Sequence, residues 1–562
     1  MNVKHGGHIL PADAAGARSL ARTLESATLD SNAGTEAAVE TSFDYLFPAL
    51  AEDPSALLPA DEPLETVAGL KALGDAMVEQ AAAAGDGIAA QLDSTIPAVY
   101  TYWGQFIDHD LTANTDSNID TFDITKADLA PIAPADVVAG LKNARRPALN
   151  LDSLYGDGPA FAGQVATQAA AFYDGIRFKI GQVATSSDIP GVRIPPVDDL
   201  ARDLPRISKK AQIADSRNDE NLIIAQLHTA FLRFHNNVVQ WLEDAGYLPD
   251  QATFEHARQL TRWHYQWLVM HDYLKTVTLA GTVDKVLLGG LKYYRPAGEP
   301  FMPLEFSVAA FRFGHTMVRG AYDHCRNFGR PGADPETGVL STPLIPFAPF
   351  DLLFQFTGNG FPTPFPQPGT TDTLPFNWVI EWDRFVDHGS SLPDHYARKI
   401  DTLLAPPLRA LVNEANAPEV SNRVKHILKR LARRNLLRGY LLSIPTGQCV
   451  ADAMGIERLS EQELRQGNSS ALNDVLVEHG FLERTPLWYY ILKEAEVRAN
   501  GNSLGALGSR IVCETLIGQL FHDQESYIHH VGGWDPGQGV KLPNGDPIVT
   551  IADFIRFAGL PA

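Results

Sequence analysis

The sequence predicts a mainly α protein in which most of the 562 residues form one large globular unit. Three observations predict it. Long stretches carry apolar residues at spacings of three and four, the period of a helix. Alternating apolar–polar runs, the mark of strands, are scarce. No fixed-period repeat recurs that would signal a solenoid or propeller. Hydrophobic residues make up 45% of the chain and charged residues 20%, enough apolar content for a sizeable core and outside the range of a disordered chain.

The elements follow in order. Residues 1–60 are expected to form an N-terminal arm, small and polar over most of its length, and residues 61–562 the main domain. Residues 63–115 read as helical, passing an alanine-rich stretch at 81–84 and ending in the aromatic run AVYTYWGQFIDHDLT. Residues 116–215 mix Asp, Pro and Gly with short apolar pieces, which predicts long irregular connections. Residues 216–245 form the clearest helix. Ser216 with Asp219 fits a capping box, and Leu222, Ile223, Leu227, Phe231, Phe234, Val238 and Leu242 cover most of the circumference, as in a buried helix. Residues 253–277 repeat the theme with Trp263, Trp267 and Leu268, and 304–322 predict another buried helix. Residues 327–377, rich in Pro and Gly, read as loop, and 395–443 and 460–525 return to helical patterns.

Charge and cysteines exclude several function classes. With 46 Lys and Arg against 67 Asp and Glu, the chain carries a formal charge of −21 and repels both nucleic-acid phosphates and anionic membranes. Cys325, Cys449 and Cys513 stand far apart, so neither a thiolate zinc site nor a disulfide framework is expected. The N-terminal sequence lacks the apolar run of a secretory signal, and nothing approaches 18 uninterrupted apolar residues. These features predict a cytoplasmic or leaderless-secreted protein without a transmembrane segment.

HExxH, a phosphate-cradling GxxxxGK and an EF-hand loop are all missing. One G-x-S-x-G match, Gly501 to Gly505 around Ser503, is a remote serine-hydrolase candidate, but a nucleophile elbow needs a strand before it and LKEAEVRAN reads as a helix. The segment Gln105-Phe106-Ile107-Asp108-His109-Asp110 is more informative. On a helix Gln105 and His109 share a face, Asp108 lies close by and Asp110 turns further round, so a titratable imidazole meets an amide and two differently aimed carboxylates. Composition alone favours a solvated helix end there. Arg217 and Glu220 also face one way, where an ion pair at a helix start is the plain reading. His315 sits in the apolar AAFRFGHT. His228, His235, His264 and His271 have similar surroundings, and spacing does not choose among these five.

Taken together, YWGQFIDHDLT, DSRNDENLIIAQLHTAFLRFHN, AAFRFGHT and LARRNLLRGYLLSIPTGQ resemble the animal-type haem peroxidase family of the peroxidase–cyclooxygenase superfamily, in a bacterial-type form. The resemblance runs from about residue 95 to 525, with four motifs in the family's order. It implies a single helical haem-peroxidase domain holding haem b. By that resemblance His109 is the distal acid–base group, Gln105 the distal glutamine and Arg217 the distal arginine. His315 is the proximal ligand of the haem iron, and Asn435 hydrogen-bonds its imidazole. Arg438 pairs with a haem propionate, with Arg312 a weaker candidate for that work. Asp108 and Glu220 fall where the family forms ester bonds to haem methyl groups.

The implied function is reduction of hydrogen peroxide through a ferryl intermediate, with bromide, iodide, thiocyanate or phenols as donors. Haem iron needs one strong axial ligand and an open opposite face. His109 would take the proton from peroxide and return it to the departing oxygen, work suited to a near-neutral group. Two departures stand out. Asn221 replaces the methionine of the most oxidising member, so chloride oxidation is not expected. The family's calcium loop falls at residues 146–153, where Asp110, Asn150 and Asp152 are oxygen ligands for a hard cation, but Arg146 stands in place of a hydroxyl residue and turn chemistry also explains Asn150 and Asp152. A fatty-acid dioxygenase or cyclooxygenase-like oxygenase on the same scaffold is the alternative.

Overall fold

The computed structural model describes residues 41–79, 91–116, 122–184, 200–330, 332–333, 340–341, 343–358, 360, 372–386, 395–412, 414–415 and 420–561. Helices dominate these residues, as the apolar spacing predicts, and the strands are short. Strand β1 (Thr41–Asp44) sits inside a four-stranded sheet. It runs antiparallel to β4 (Leu141–Asn143), which also pairs β3 (Asn114–Asp116), and parallel to β5 (Met302–Pro303). Strand β2 (Asp93–Pro97) pairs antiparallel with β6 (Tyr396–Arg398). Of the expected arm, residues 1–40 lie outside the described residues. Residues 41–60 are built into the body: Phe43, Tyr45, Leu46 and Phe47 are buried, and the buried Glu305 carboxylate accepts the backbone N–H groups of Leu46 and Phe47.

The central layer is three helices. Helix α2 (Val99–Leu111) buries Trp103, Phe106, Ile107 and Asp110 along one face, with His109 buried beside it. It ends where the Thr112 N–H and hydroxyl both turn back onto the Asp108 carbonyl. Phe106 stacks on Phe231 of α3 (Leu222–Asp244) with ring centroids 4.2 Å apart. Helix α4 (Gln251–Leu268) packs along α3 and passes into a π turn at Val269–Tyr273. Such turns widen a helix by one residue and recur at functional sites. Helix α5 (Leu431–Leu441) packs on α1 (Pro63–Ala76), α6 (Leu487–Ala499) packs on α5, and α7 (Ala506–His522) follows α6. The short C-terminal helix α8 (Ile551–Phe557) closes on α3, with Phe554 stacked on Phe234 at 3.9 Å. Among the described residues no helix is long and apolar enough to cross a membrane.

Several boundaries differ from the sequence reading, each for a local reason. The stretch 63–115 is α1, β2 and α2 rather than one helix, and the alanine-rich 81–84 lies outside the described residues. The capping box at Ser216 and Asp219 does not form. Residues Ser216–Asp219 are a 3-10 turn capped by Asp215, the Asp219 carboxylate is taken by Arg206, and Asn221 caps α3 by accepting the Ile224 N–H. Such a cap is worth about 1 kcal/mol. Residues 304–322 are not one helix either. A single turn, Leu304–Ser307, is followed by a 3-10 segment, Ala310–His315, folded back so that Phe306 stacks on Phe311 and Arg312 Nε donates to the Ser307 carbonyl. Residues 395–443 hold a strand and two helices, and 376–385 hold two 3-10 turns.

Candidate functional site

One cavity gathers Gln105, Asp108, Glu220, Arg312 and His315 of the residues singled out in the sequence; His109, Arg217, Asn435, Arg438, Asp110, Asn150 and Asp152 are not in its wall. Its wall carries Gln105 and Asp108 from α2, Glu220 and Asn221 from the turn before α3, and Arg312 and His315 from the 3-10 segment. Tyr273, brought in by the π turn, also lines it. Gly104 makes this approach possible: a Cβ there would stand 2.5 Å from the Tyr273 hydroxyl. A Cβ on Gly314, by contrast, would meet nothing within 4 Å. Phe350, Phe354, Leu408, Leu411, Leu431 and Val318 complete an apolar lining.

The five histidines now separate. His315 alone lines this cavity, and its Nδ1 lies 2.8 Å from the Asn435 amide nitrogen. Arg312 donates to the Asn435 carbonyl oxygen at 3.2 Å, so that amide is held from both ends. His235 is bonded to the Tyr155 hydroxyl and the Ile176 carbonyl, His264 accepts the Val540 N–H, and His271 meets the Tyr527 hydroxyl. These three are packing residues outside the cavity, His264 with its buried Nδ1 unpaired. His228 lies deep against α2, 3.0 Å from Asn218.

The distal group is not a solvated helix end. His109 and Asp110 are fully buried. His109 stands one helical turn beyond Gln105, and its Nδ1 is 2.8 Å from Asn218 Oδ1. Gln105 is clamped: its amide nitrogen donates to Glu220 at 3.3 Å, and its carbonyl accepts from Asn221 at 3.2 Å. Asn221, where the resemblance leads one to look for methionine, thus both caps α3 and orients Gln105.

Arg217 does not pair chiefly with Glu220. Its guanidinium binds the buried Asp215 carboxylate and the carbonyls of Thr112 and His109. Burial works against both charges of that pair. Their mutual attraction nevertheless holds Asp215 well below the usual carboxylate range, Arg145 adding to it, and keeps Arg217 above its ordinary value. Arg217 therefore grips the backbone of α2 beside His109 and is not in the cavity wall.

A second set of cations lies on the proximal side. Arg434 and Arg438 are buried and the half-buried Arg312 lies near them at the cavity wall, with Glu414 against Arg434 at 3.5 Å. Burial, with Arg438 and Arg434 nearby and Asp108 only partly offsetting, pushes Arg312 down to about 10. Burial also lowers Arg434. Cations crowded in a dry interior call for anionic partners. A planar tetrapyrrole with two propionates fits these cations, and His315 ligates its iron through Nε2 when the Asn435 amide is turned so that its oxygen accepts from Nδ1–H; with the amide nitrogen on Nδ1, as here, the ring proton sits on Nε2. Arg434 and Asn218 were not singled out from sequence. Arg434 is one of several arginines in a basic helix, and an asparagine beside Arg217 reads as turn chemistry until α2 is packed on it.

The calcium loop is differently arranged. Asp110 accepts from the backbone N–H of Leu151 and from the N–H and hydroxyl of Ser153, while the Asn150 side chain accepts the Asp152 N–H. Burial, with Asp152 adding to it, pushes Asp110 up to about 7 despite those N–H groups. No group of three acidic, His or Cys side chains gathers as a cation cage among the described residues. Ser503 follows helix α6 rather than a strand, and its hydroxyl donates to the Leu504 carbonyl, so no nucleophile elbow forms.

Comparison with known proteins converges on the same family. Residues 153–342 match the animal haem peroxidase family model. The chain is 25% identical over 241 residues to peroxidase mlt-7 of Caenorhabditis elegans, a match covering 39% of this chain and 33% of that protein. It is 34% identical over 106 residues to the thyroid peroxidase of Canis lupus familiaris, covering 18% of this chain and 11% of the relative. The matches thus span a third or less of these relatives' length. Peroxidase A from Dictyostelium discoideum shares the fold, with a TM-score of 0.54 at 16% identity over 87% of this chain and 88% of that one. The fatty acid alpha-dioxygenase of Arabidopsis thaliana shares it as well, with a TM-score of 0.51 at 12% identity over 90% and 74%. The motifs in order, the shared fold and the family model matched across the segment that carries Arg217 and His315 make the chain similar to the animal haem peroxidase family.

Proposed function

We propose that this protein is a haem peroxidase that reduces hydrogen peroxide and oxidises small donors. The observation that carries the reading is one cavity walled by Gln105, Asp108, Glu220, Arg312 and His315, with Asn435 on the His315 Nδ1 and Arg434 and Arg438 near Arg312.

His315 would hold the haem iron. Asn435, bonded to its Nδ1, fixes the ring's orientation and tunes its donor strength. Arg438, Arg434 and Arg312 would bind the propionates. The haem supplies an iron centre able to accept the oxidising equivalents of peroxide. The protein's part is proton management. His109, with Nδ1 on Asn218, offers Nε2 to take the proton from the inner peroxide oxygen and return it to the outer one, which departs as water. Gln105, clamped by Glu220 and Asn221, presents a fixed amide dipole beside that path. Arg217 acts through the backbone of α2, holding His109 in place and adding a fixed positive charge. Asp108 and Glu220, both in the wall, would form the ester bonds to haem methyl groups. Bromide, iodide, thiocyanate or phenols are the proposed donors.

The apolar lining by Phe350, Phe354, Leu408 and Leu411 favours a second reading, oxygenation of a lipid chain in the same cavity. A strong Soret band in the haem-loaded protein and peroxide-dependent oxidation of iodide or guaiacol are the expected results. Fast peroxide-primed oxygen uptake with a fatty acid, without donor oxidation, would replace the first reading by the second.

A further inference from the structure

Behind the distal histidine a second imidazole is tied to the first through one amide. His109 Nδ1 lies 2.8 Å from Asn218 Oδ1, and Asn218 Nδ2 lies 3.0 Å from His228 Nδ1. All three residues are fully buried. They come from three elements: α2, the 3-10 turn Ser216–Asp219 and the second turn of α3. Phe106, one turn before His109, packs against the His228 ring at 6.0 Å.

We infer that Asn218 and His228 are positioning residues that lock His109 in the tautomer with its proton on Nδ1, leaving Nε2 as the acceptor. This deepens the peroxidase reading and rests on it only for the use made of Nε2. A carboxamide has one accepting and one donating end. Burial holds His228 down at about 3, so this ring is neutral and one of its nitrogens accepts. With Nδ1 of His228 accepting from the amide, the Asn218 oxygen is turned to His109 and requires an N–H there. The reversed amide would put a donor against His109 Nδ1 and force the proton onto Nε2, where no proton could be taken from peroxide. The reversed amide also fails once His109 is protonated on both nitrogens, because two N–H groups would then face each other. The device biases a tautomer without adding a charge. The charged and titratable groups around it are Asp108 and Asp110 on α2, Asp215, Arg217 and Glu220 from the turn, and Tyr265 on α4.

The test is the tautomeric state of the two rings in the full chain, read from long-range proton–nitrogen spectra of histidine-labelled protein, with His109→Gln and His228→Gln for assignment. His109 is expected protonated at Nδ1 and His228 at Nε2. Asn218→Asp replaces the donor end by a second acceptor, so Nδ1 of His228 should gain a proton while Nδ1 of His109 keeps its own. Asn218→Leu should release His109 to populate the Nε2–H form. In the haem-loaded protein it should also slow the reaction with peroxide by about tenfold or more, part of the about 100- to 10,000-fold that a positioned acid–base group supplies. Asn218→Asp should recover the larger part of that loss. Wild-type His109 protonated at Nε2, or a His228 ring unmoved by Asn218→Asp, would overturn the inference. Tautomers as assigned in a protein that does not react with peroxide would uphold the lock and remove the peroxidase reading instead.

Discussion

Replacing Gly104 by alanine tests the packing that shapes the cavity. In an exposed helix this change stabilises by about 1 kcal/mol, because glycine has more backbone freedom to lose. Here the new Cβ would lie 2.5 Å from the Tyr273 hydroxyl. The Tyr273 ring cannot retreat, since Tyr100 stacks on it at 6.2 Å, and Trp103 and Phe311 meet it at 5.3 and 6.2 Å. Overpacking of this kind costs about 1–3 kcal/mol, so Gly104→Ala should destabilise by a net of about 0–2 kcal/mol. Removing the hydroxyl in Tyr273→Phe leaves ring carbons at 3.4 and 3.6 Å, ordinary contact. In that background the alanine should become stabilising by about 1 kcal/mol. The two changes should therefore be coupled by about 1–3 kcal/mol in a double-mutant cycle read by urea unfolding. A titration with haem should show weaker uptake in Gly104→Ala and recovery in the double variant, because the new methyl group and the Tyr273 hydroxyl crowd the cavity wall they share. Equal costs for the alanine in both backgrounds would refute the contact.

Four further outcomes are expected. His315→Ala should lose most of its haem in spectrophotometric titration, whereas His264→Ala or His235→Ala should retain it; the reverse pattern would move the axial ligand. His109→Ala should keep haem and react with peroxide about 100- to 10,000-fold more slowly by stopped flow, and a rate within a few-fold of wild type would remove its role. Acidified organic solvent should fail to extract haem from peroxide-treated wild type and should succeed with the Asp108→Ala, Glu220→Ala double variant. Stability should fall between pH 7 and pH 9: burial raises Glu305 and Glu494 to about 7 and Asp401 to about 8, and this window lies above the one in which His228, His235, His264, His271 and His324, held down at about 3 to 4, oppose the trend. Each carboxyl keeps its proton in the folded chain after the unfolded chain has lost it, so raising the pH through that window favours unfolding. A urea midpoint as high at pH 9 as at pH 7 would contradict this.

Local sequence determined the helix-rich class and the residue types of the site, because both are written at short range. The apolar period of α3, the crowded titratable groups of α2 and the motif order from Gln105 to Arg438 all depend on neighbours within a few positions. The same short range explains what was misread. Ser216 and Asp219 carry a capping pattern, but Arg206 takes the Asp219 carboxylate, and a buried ion pair outweighs a reciprocal cap. Residues 304–322 carry a helical pattern, but the stacking of Phe306 on Phe311 belongs to a chain that turns back.

Tertiary structure alone decided which histidine is which. All five sit in apolar helical surroundings, and what separates His315 from His235 or His264 is the partner each nitrogen meets from a distant element: Asn435 for the first, Tyr155 and the backbone at Val540 for the others. It also decided that Arg217 grips the backbone beside His109 instead of facing the cavity, and that Asn218 and His228 stand behind the distal ring. The physical reason is that a hydrogen bond needs two groups within about 3 Å at a fixed angle. Residue type and spacing show that a donor or acceptor exists, and only the packing of α2 on the turn before α3 brings it to its partner.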